Sequence, residues 1–475
     1  MTDLTPLFAP ETIVVVGASS TGDNVANRVL RNLANYGFAG RVVVIHPRLT
    51  EFNGVPACPS LAAAPFPIDY AFVAVAAEQT PHLLEGAEGK VKFMQVISSG
   101  FSETGRKDLQ ADLVASCKRA GTRLIGPNCL GLHLPAKGLT YVSNLPSLPA
   151  GPIAVVSQSG GLSVDIIRRG HVRGIGFRSV ISIGNSADLS PSEIAEYLLA
   201  DPDTHAIGLY LEDVADGRRF FDALRRSAGA KPVVILKGGA TEAGQRAAAS
   251  HTGALAGEAR LWSALARQTG AIMVETVDDL IDALLALQYL HPRRGAVTRR
   301  VALFGNGGGT SVVASDAFSR AGFAVPALSP VAVDRLRSLN LPPGSSFANP
   351  VDVPGGALRV DSGRVSEHIL DAIYLDQSID AVIVHLNMPV LLGYRDPTIL
   401  PNLIRGALAA QSRHRGRGHI ALVLRSDGDL DSEQRRHAFR QEAIALGVPV
   451  FDELPIAARA LAGIAWHEHF LHRRN

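Results

Sequence analysis

Cysteine is scarce in this chain of 475 residues, net charge is close to zero, and long apolar runs are missing. The three cysteines, Cys58, Cys117 and Cys129, form no CxxC pair and no spacing that holds zinc or frames disulfides, so a reducing cytoplasm is the expected compartment. Lys plus Arg is 46 against 44 for Asp plus Glu, which offers no electrostatic footprint for nucleic acid or an anionic membrane surface. An acidic ligand must then be held by local geometry. No uninterrupted apolar segment reaches the roughly 18 to 20 residues that cross a bilayer. The opening MTDLTPLFAPETIVVVG has neither a basic region nor a small-residue cleavage site, and reads as the start of a fold. With 47% hydrophobic residues, the chain is long enough for two or three domains that each bury a core.

What is present is one local pattern, repeated three times: a β-branched run, a Gly/Ser-rich turn, then an amphipathic helical stretch. Thr12 to Val16 leads into GASSTGDN and VANRVLRNLANYG; Pro152 to Val156 into SQSGG and LSVDIIRRG; Arg300 to Phe304 into GNGGGTS and VVASDAFSRAG. A buried parallel strand reads as a continuous apolar run and its helix has a 3.6-residue period, so each unit predicts the opening of an α/β domain. Further strands are predicted at Arg41 to Ile45, Tyr70 to Val75, Phe93 to Ile97, Ser179 to Ile183, Ile207 to Leu211, Pro232 to Leu236, Ala381 to His385 and His419 to Leu424. Polar, Pro/Gly-bearing stretches at 136–151 and 291–299 place boundaries near 148 and 296. The expectation is three consecutive α/β domains: a Rossmann-like one over 1–148 and two flavodoxin-like ones over 149–296 and 297–475.

The first turn suits a phosphate, because free amides and the positive end of a helix dipole face Gly17, with hydroxyls from Ser19, Ser20 and Thr21 nearby. It is not a regular dinucleotide fingerprint: Gly17 and Gly22 are present, but Ser19 replaces the middle glycine of GxGxxG. The second strand ends in His46, Pro47 and Arg48, where an NAD enzyme would place an acid against the ribose 2'-hydroxyl. Basic residues there favour a ligand with phosphate on its ribose, which leaves NADP or CoA; the competing reading is a plain solvated loop. Val75, Ser98 and Ser99 of VISSGFSETG, and Asn128 of LIGPNCLG fall near later strand ends, the edge where ligands of open α/β sheets collect. Ser157, Ser159, Gly160 and Gly161 form a second phosphate-suited turn, or simply a tight turn before a helix. The glycine run 305–309 lacks the Lys-Ser/Thr of a P-loop and reads as a structural or interface turn.

Taken in order, GASS, IHPR, VISSGFSE, GPNCLG, SQSGGL, YLED and SHTGALAG resemble the α subunit of NDP-forming (ADP-forming) acyl-CoA synthetases and, more distantly, succinyl-CoA synthetase; FGNGGGTSVVASD and NPVDV resemble the family's third domain. The likeness covers about residues 5–465. It implies that the first domain binds CoA and that acyl-CoA, phosphate and ADP are interconverted with carboxylic acid, CoA and ATP through an acyl phosphate and a phosphohistidine. By its motif the phosphorylated residue is His251, with Glu212 orienting it. A carboxylate on one ring nitrogen fixes the tautomer and makes the other nucleophilic, which fits Glu212 just after the strand IGLYL. The alternatives are an ordinary loop histidine and a surface acid paired with Arg218 or Arg219. Asn128 is expected to contact the thiol end of CoA or the acyl carbonyl, while Cys129 is a structural thiol. Residues 184–190 either line the acyl and phosphate pocket or cap a helix at Asp188 or Ser190.

No stretch of some 200 residues remains for the ATP-grasp unit that such chemistry needs. The resemblance therefore implies an ATP-grasp β subunit that carries ADP/ATP and Mg2+ in a hetero-oligomer; this chain itself is expected to hold no metal. A non-enzymatic CoA-binding regulatory module and an NADP-dependent oxidoreductase are the rival readings, the latter weakened by the lack of a Tyr-xxx-Lys pair.

Overall fold

Helices cover both faces of a parallel sheet, so its strands are buried throughout; β1 (Thr12–Val16), β9 (Ile153–Ser157) and β14 (Val301–Gly305) are buried at every position. The computed structural model describes residues 3–146, 150–246, 259–394, 396–414 and 416–474. They group into two compact units, Met1–Leu280 and Ile281–Asn475.

The first unit holds two sheets. One comprises β1, β2 (Arg41–Ile45), β3 (Glu51–Phe52), β4 (Val55–Cys58), β5 (Ile68–Val73), β6 (Val91–Val96) and β7 (Arg123–Ile125), in the order β3-β4-β2-β1-β5-β6-β7. All pairs are parallel except β3 with β4. The other comprises β8 (Gly131–His133), β9, β10 (Phe177–Ser182), β11 (Ala206–Leu211), β12 (Val233–Lys237) and β13 (Ile272–Val274), in the order β13-β12-β11-β9-β10-β8, with β8 antiparallel to β10. Both sheets contribute to one hydrophobic cluster, in which Val15 and Phe72 belong with Leu132, Val156 and Leu209. The expected limit near 148 lies inside this unit, between β8 and β9, both strands of the second sheet.

The second unit holds an all-parallel sheet of β14, β15 (Val351–Asp352), β16 (Ala381–Asn387), β17 (His419–Arg425) and β18 (Val450–Phe451), in the order β15-β14-β16-β17-β18. Its core is its own, built around Phe304, Ile369, Val384, Ile404 and Leu422. Among the described residues, no helix is long and apolar enough to cross a membrane.

The strand orders give the three glycine turns a common position. From β1 the chain moves to β2 on one side and later to β5 on the other; β9 stands likewise between β10 and β11, and β14 between β15 and β16. Each is the strand at which the order reverses, and the crevice beyond its carboxyl end is where ligands of open α/β sheets bind.

Candidate functional site

At the edge of the first sheet, the turn after β1 is organised by two asparagines. Asn24 caps the helix Val25–Asn35 by accepting from the Asn27 amide at 2.9 Å, and its Nδ2 donates to the Gly17 carbonyl at 2.9 Å. Asn27 donates to the Ser19 carbonyl at 2.8 Å and accepts from the Ser19 amide at 3.1 Å. Ser19 and Thr21 hydroxyls lie 3.1 Å apart, and Ser20 and Thr21 are exposed. Gly17 has φ +101°, and a Cβ there would meet the Ala74 carbonyl oxygen at 2.3 Å, so only glycine lets the exits of β1 and β5 touch. The Ser98 hydroxyl donates to the Val75 carbonyl, and the Asn128 amide to the Ser98 carbonyl at 3.0 Å. Gly17, Val75, Ser98 and Asn128 thus form one continuous line of backbone along the edge. Pro47 and Arg48 are exposed beyond the end of β2, on the same edge by the register Val16 with Ile45, and Ser99 is exposed beside Ser98.

A second edge meets the first along a backbone seam. The amides of Asn185, Ala187 and Leu189 donate to the carbonyls of Pro127, Gly126 and Leu124 at 3.0, 2.9 and 3.1 Å, and Leu130 donates to the Ser182 hydroxyl at 3.1 Å. Asp188 accepts from Arg123 Nε at 2.9 Å, while Ser190 is the N-cap of helix Pro191–Ala200 within a capping box, so the cap belongs to Ser190. The seam encloses a cleft of about 230 Å3, lined by Ile97, Asn128, Leu130, Ser159, Gly160 and Asn185 among others. Gln158, Cys129, Gly161 and Gly184 complete the lining.

Ser159 caps the helix Gly160–Arg173, its Oγ accepting from the Leu162 amide at 3.3 Å, and Ser157 Oγ donates to the Ser159 carbonyl at 2.7 Å. Amides at the start of this helix suit an anion. On the opposite side, Asn185 Nδ2 donates to Glu103 Oε2 at 2.6 Å and to Gln110 Oε1 at 3.0 Å. Burial pushes the Glu103 carboxyl up, but donation from Asn185 and the Gly100 and Phe101 amides outweighs it and holds Glu103 below the ordinary carboxylate range. Cys129 is buried, and burial pushes its thiol up to about 12, as expected of a structural thiol.

Glu212 follows β11 and is 6% exposed. It pairs with neither arginine weighed from the sequence: Arg218 bonds Asp222 at 2.9 Å and Arg219 bonds Glu196 at 2.7 Å. Tyr210 donates to Glu212 Oε1 at 3.1 Å, Lys237 Nζ donates to the Glu212 carbonyl at 2.9 Å, and the Glu212 amide donates to Gln158 Oε1 at 2.5 Å. Burial, then the Glu212 charge, pushes the Tyr210 hydroxyl up and keeps it a donor. Burial pulls Lys237 below its ordinary value, with Asp213 and Glu212 opposing it. His251 lies outside the described residues.

Sequence reasoning passed over Gln158, Glu103, Tyr210 and Lys237, whereas Asn185 lies within 184–190, the stretch read as lining the pocket. Gln158 stood inside the SQSGG motif and Lys237 was a charged residue closing a buried apolar run, signals that could have drawn attention to them. The turn after β14 carries no lysine; Gly307 precedes the helix Gly308–Arg320 and Asn306 accepts from the Asn387 amide at 2.8 Å, a structural arrangement. Among the described residues, no group of three His, Cys, Asp or Glu side chains is placed to hold a metal ion.

Comparison with known proteins fits this geometry. Residues 11–135 match the model of a CoA binding domain and residues 150–287 that of a succinyl-CoA ligase-like flavodoxin domain. The chain is 31% identical to the acetate–CoA ligase (ADP-forming) I subunit alpha of Pyrococcus furiosus, over 97% of each chain. It is 36% identical to acetate–CoA ligase (ADP-forming) I of Archaeoglobus fulgidus over 80% of its own length, but spans only 54% of that protein. A structure of the dinucleotide forming acetyl-coenzyme A synthetase 1 of Ca. Korarchaeum cryptofilum in complex with phosphate and ADP superposes with a TM-score of 0.85 at 27% identity, covering 100% of this chain and 99% of that one. The chain belongs to the ADP-forming acetate–CoA ligase family: it matches nearly the full length of the Pyrococcus furiosus alpha subunit and shares the fold of the Ca. Korarchaeum cryptofilum synthetase chain.

Proposed function

We propose that this chain is the α subunit of an ADP-forming acyl-CoA synthetase, an acid-thiol ligase that turns acyl-CoA, phosphate and ADP into carboxylic acid, CoA and ATP. The observation that carries the reading is the cleft shared by Asn128 and the Ser159–Gly161 turn, beside a buried carboxylate, Glu212. CoA binds along the first edge, at Gly17, Ser19, Ser20, Thr21, Pro47, Arg48, Val75, Ser98 and Ser99, with its thioester directed to Asn128. Phosphate is held by Ser157, Ser159, Gly160 and Gly161, whose oriented donors stabilise charge on the group being transferred. Phosphate oxygen attacks the thioester carbonyl and CoA leaves as thiol, giving an acyl phosphate; His251 then takes the phosphoryl group and frees the acid, with Glu212 orienting its ring. An ATP-grasp partner supplies ADP and Mg2+ and receives the phosphoryl group as ATP. The alpha-subunit relative supports a partner. The three-domain division at about 148 and 296 is proposed on the same footing, supported by the matched segments 11–135 and 150–287.

Incubation with acetyl-CoA and radiolabelled phosphate is expected to place an acid-labile, base-stable label on the chain, and His251→Asn to abolish it. A label that survives this substitution rules out the assignment of the phosphorylated residue.

A further inference from the structure

The wall of the cleft and the carboxylate assigned to the histidine are joined by one side chain. Gln158 lines the cleft next to Ser159. Its Oε1 accepts from the amides of Glu212 and Asp213 at 2.5 and 3.0 Å, and its Nε2 donates to the Asp213 carbonyl at 3.0 Å and the Ser186 hydroxyl at 3.4 Å. Its own amide donates to the Tyr210 carbonyl at 3.1 Å. The carboxamide therefore behaves like an added peptide unit, tying together the exits of β10, β9 and β11, which are neighbours in the sheet. Tyr210 and Lys237 also fix Glu212, but from its carboxylate and carbonyl sides, and neither lines the cleft.

Resting on the proposed phosphohistidine chemistry, we infer that Gln158 is a positioning residue that fixes the Glu212 backbone from the phosphate turn, so that the orientation of Glu212 follows the state of the cleft. Gln158 touches no reacting atom through these bonds; it acts through Glu212. Its effect must therefore vanish when Glu212 can no longer act, which a double-mutant cycle detects.

The test measures the rate of His251 labelling from acetyl-CoA and radiolabelled phosphate, across pH. Gln158→Met, similar in shape but without these hydrogen bonds, is expected to slow labelling about tenfold with little change in the acetyl-CoA concentration needed. Glu212→Gln should slow it at least as much, and the double variant no further than Glu212→Gln alone. Losses that multiply, or a normal rate in Gln158→Met, overturn the inference. Should Gln158→Met melt at a much lower temperature, Gln158→Glu carries the test. It keeps the acceptor for the Glu212 amide but loses the donor to the Asp213 carbonyl, so labelling should slow in the native background and no further in a Glu212→Gln background; a normal rate, or losses that multiply, overturns the inference. Absence of any label on the unmodified chain overturns the proposed function and this inference together, whereas normal labelling of the Gln158 variants overturns the inference alone.

Discussion

Thiols react as thiolates, so burial decides which cysteine of this chain can do chemistry. Cys117 and Cys129 are buried, and burial pushes both up to about 12. Cys58 is half-buried at the edge of the first sheet. Iodoacetamide at pH 8 is therefore expected to alkylate Cys58 alone in the folded chain, with Cys117 and Cys129 reacting only after denaturation. Peptide mass spectrometry checks this, and native alkylation of Cys129 would contradict its place as a structural thiol. The same scale shows what a sequence carries and what it hides. That Glu212 stands at a strand end was legible from the apolar run before it. Its surroundings were not, because Gln158 and Lys237 lie 54 and 25 residues away in the chain and meet it only when β9, β11 and β12 align.

At the scale of elements, the long strands announced themselves: β1 and β2 have the limits read from their apolar runs, and the others differ by one or two residues at one or both ends. The short ones did not. Two-residue strands such as β3, β15 and β18 contain too few positions for any periodicity, and β8, three residues with a glycine, exists because β10 offers an edge. Nor could the sequence show that GPNCLG and GNSADLS would close on each other, since that seam is made by backbone groups that every residue possesses. One glycine there is indispensable. Gly184 has φ +49°, and a Cβ would meet the carbonyl oxygens of Asn128 and Pro127 at 2.2 and 2.4 Å. Gly184→Ala is expected to cost at least about 2 kcal/mol, combining left-handed backbone strain with a contact that only opening the seam relieves. Because the seam forms the cleft, labelling should fall even at temperatures where the variant stays folded. Denaturant titration and the labelling assay check this; an unchanged midpoint would show that the seam is not under tension.

The whole molecule divides its stability between two units with separate cores, and a buried ion network belongs to the second. Glu468, fully buried, accepts from Arg293 Nε at 3.1 Å, the Thr298 amide at 2.6 Å and His419 Nε2 at 2.9 Å. Burial alone would push its carboxyl up, but the His419 and Thr298 contacts prevail and bring it from 4.5 to about 2. A depressed carboxyl contributes stability that is fully present above its unfolded value and lost as pH falls through the folded one, so the loss belongs between about pH 4.5 and 2. Removing the charge by Glu468→Gln leaves the Arg293 guanidinium without its buried carboxylate, at a cost of roughly 3 kcal/mol near neutral pH. The two tryptophans separate the units: Trp262, in the first, lies by Lys237 and Phe220, and Trp466 is on the last helix of the second. In a Trp262→Phe background, Glu468→Gln should lower the urea midpoint reported by Trp466, and the deficit should shrink at pH 3. In a Trp466→Phe background, the midpoint reported by Trp262 should stay where it was. Equal shifts in both backgrounds would show that the two cores melt as one cooperative body, and that a charge buried in the second unit supports the cleft-bearing first.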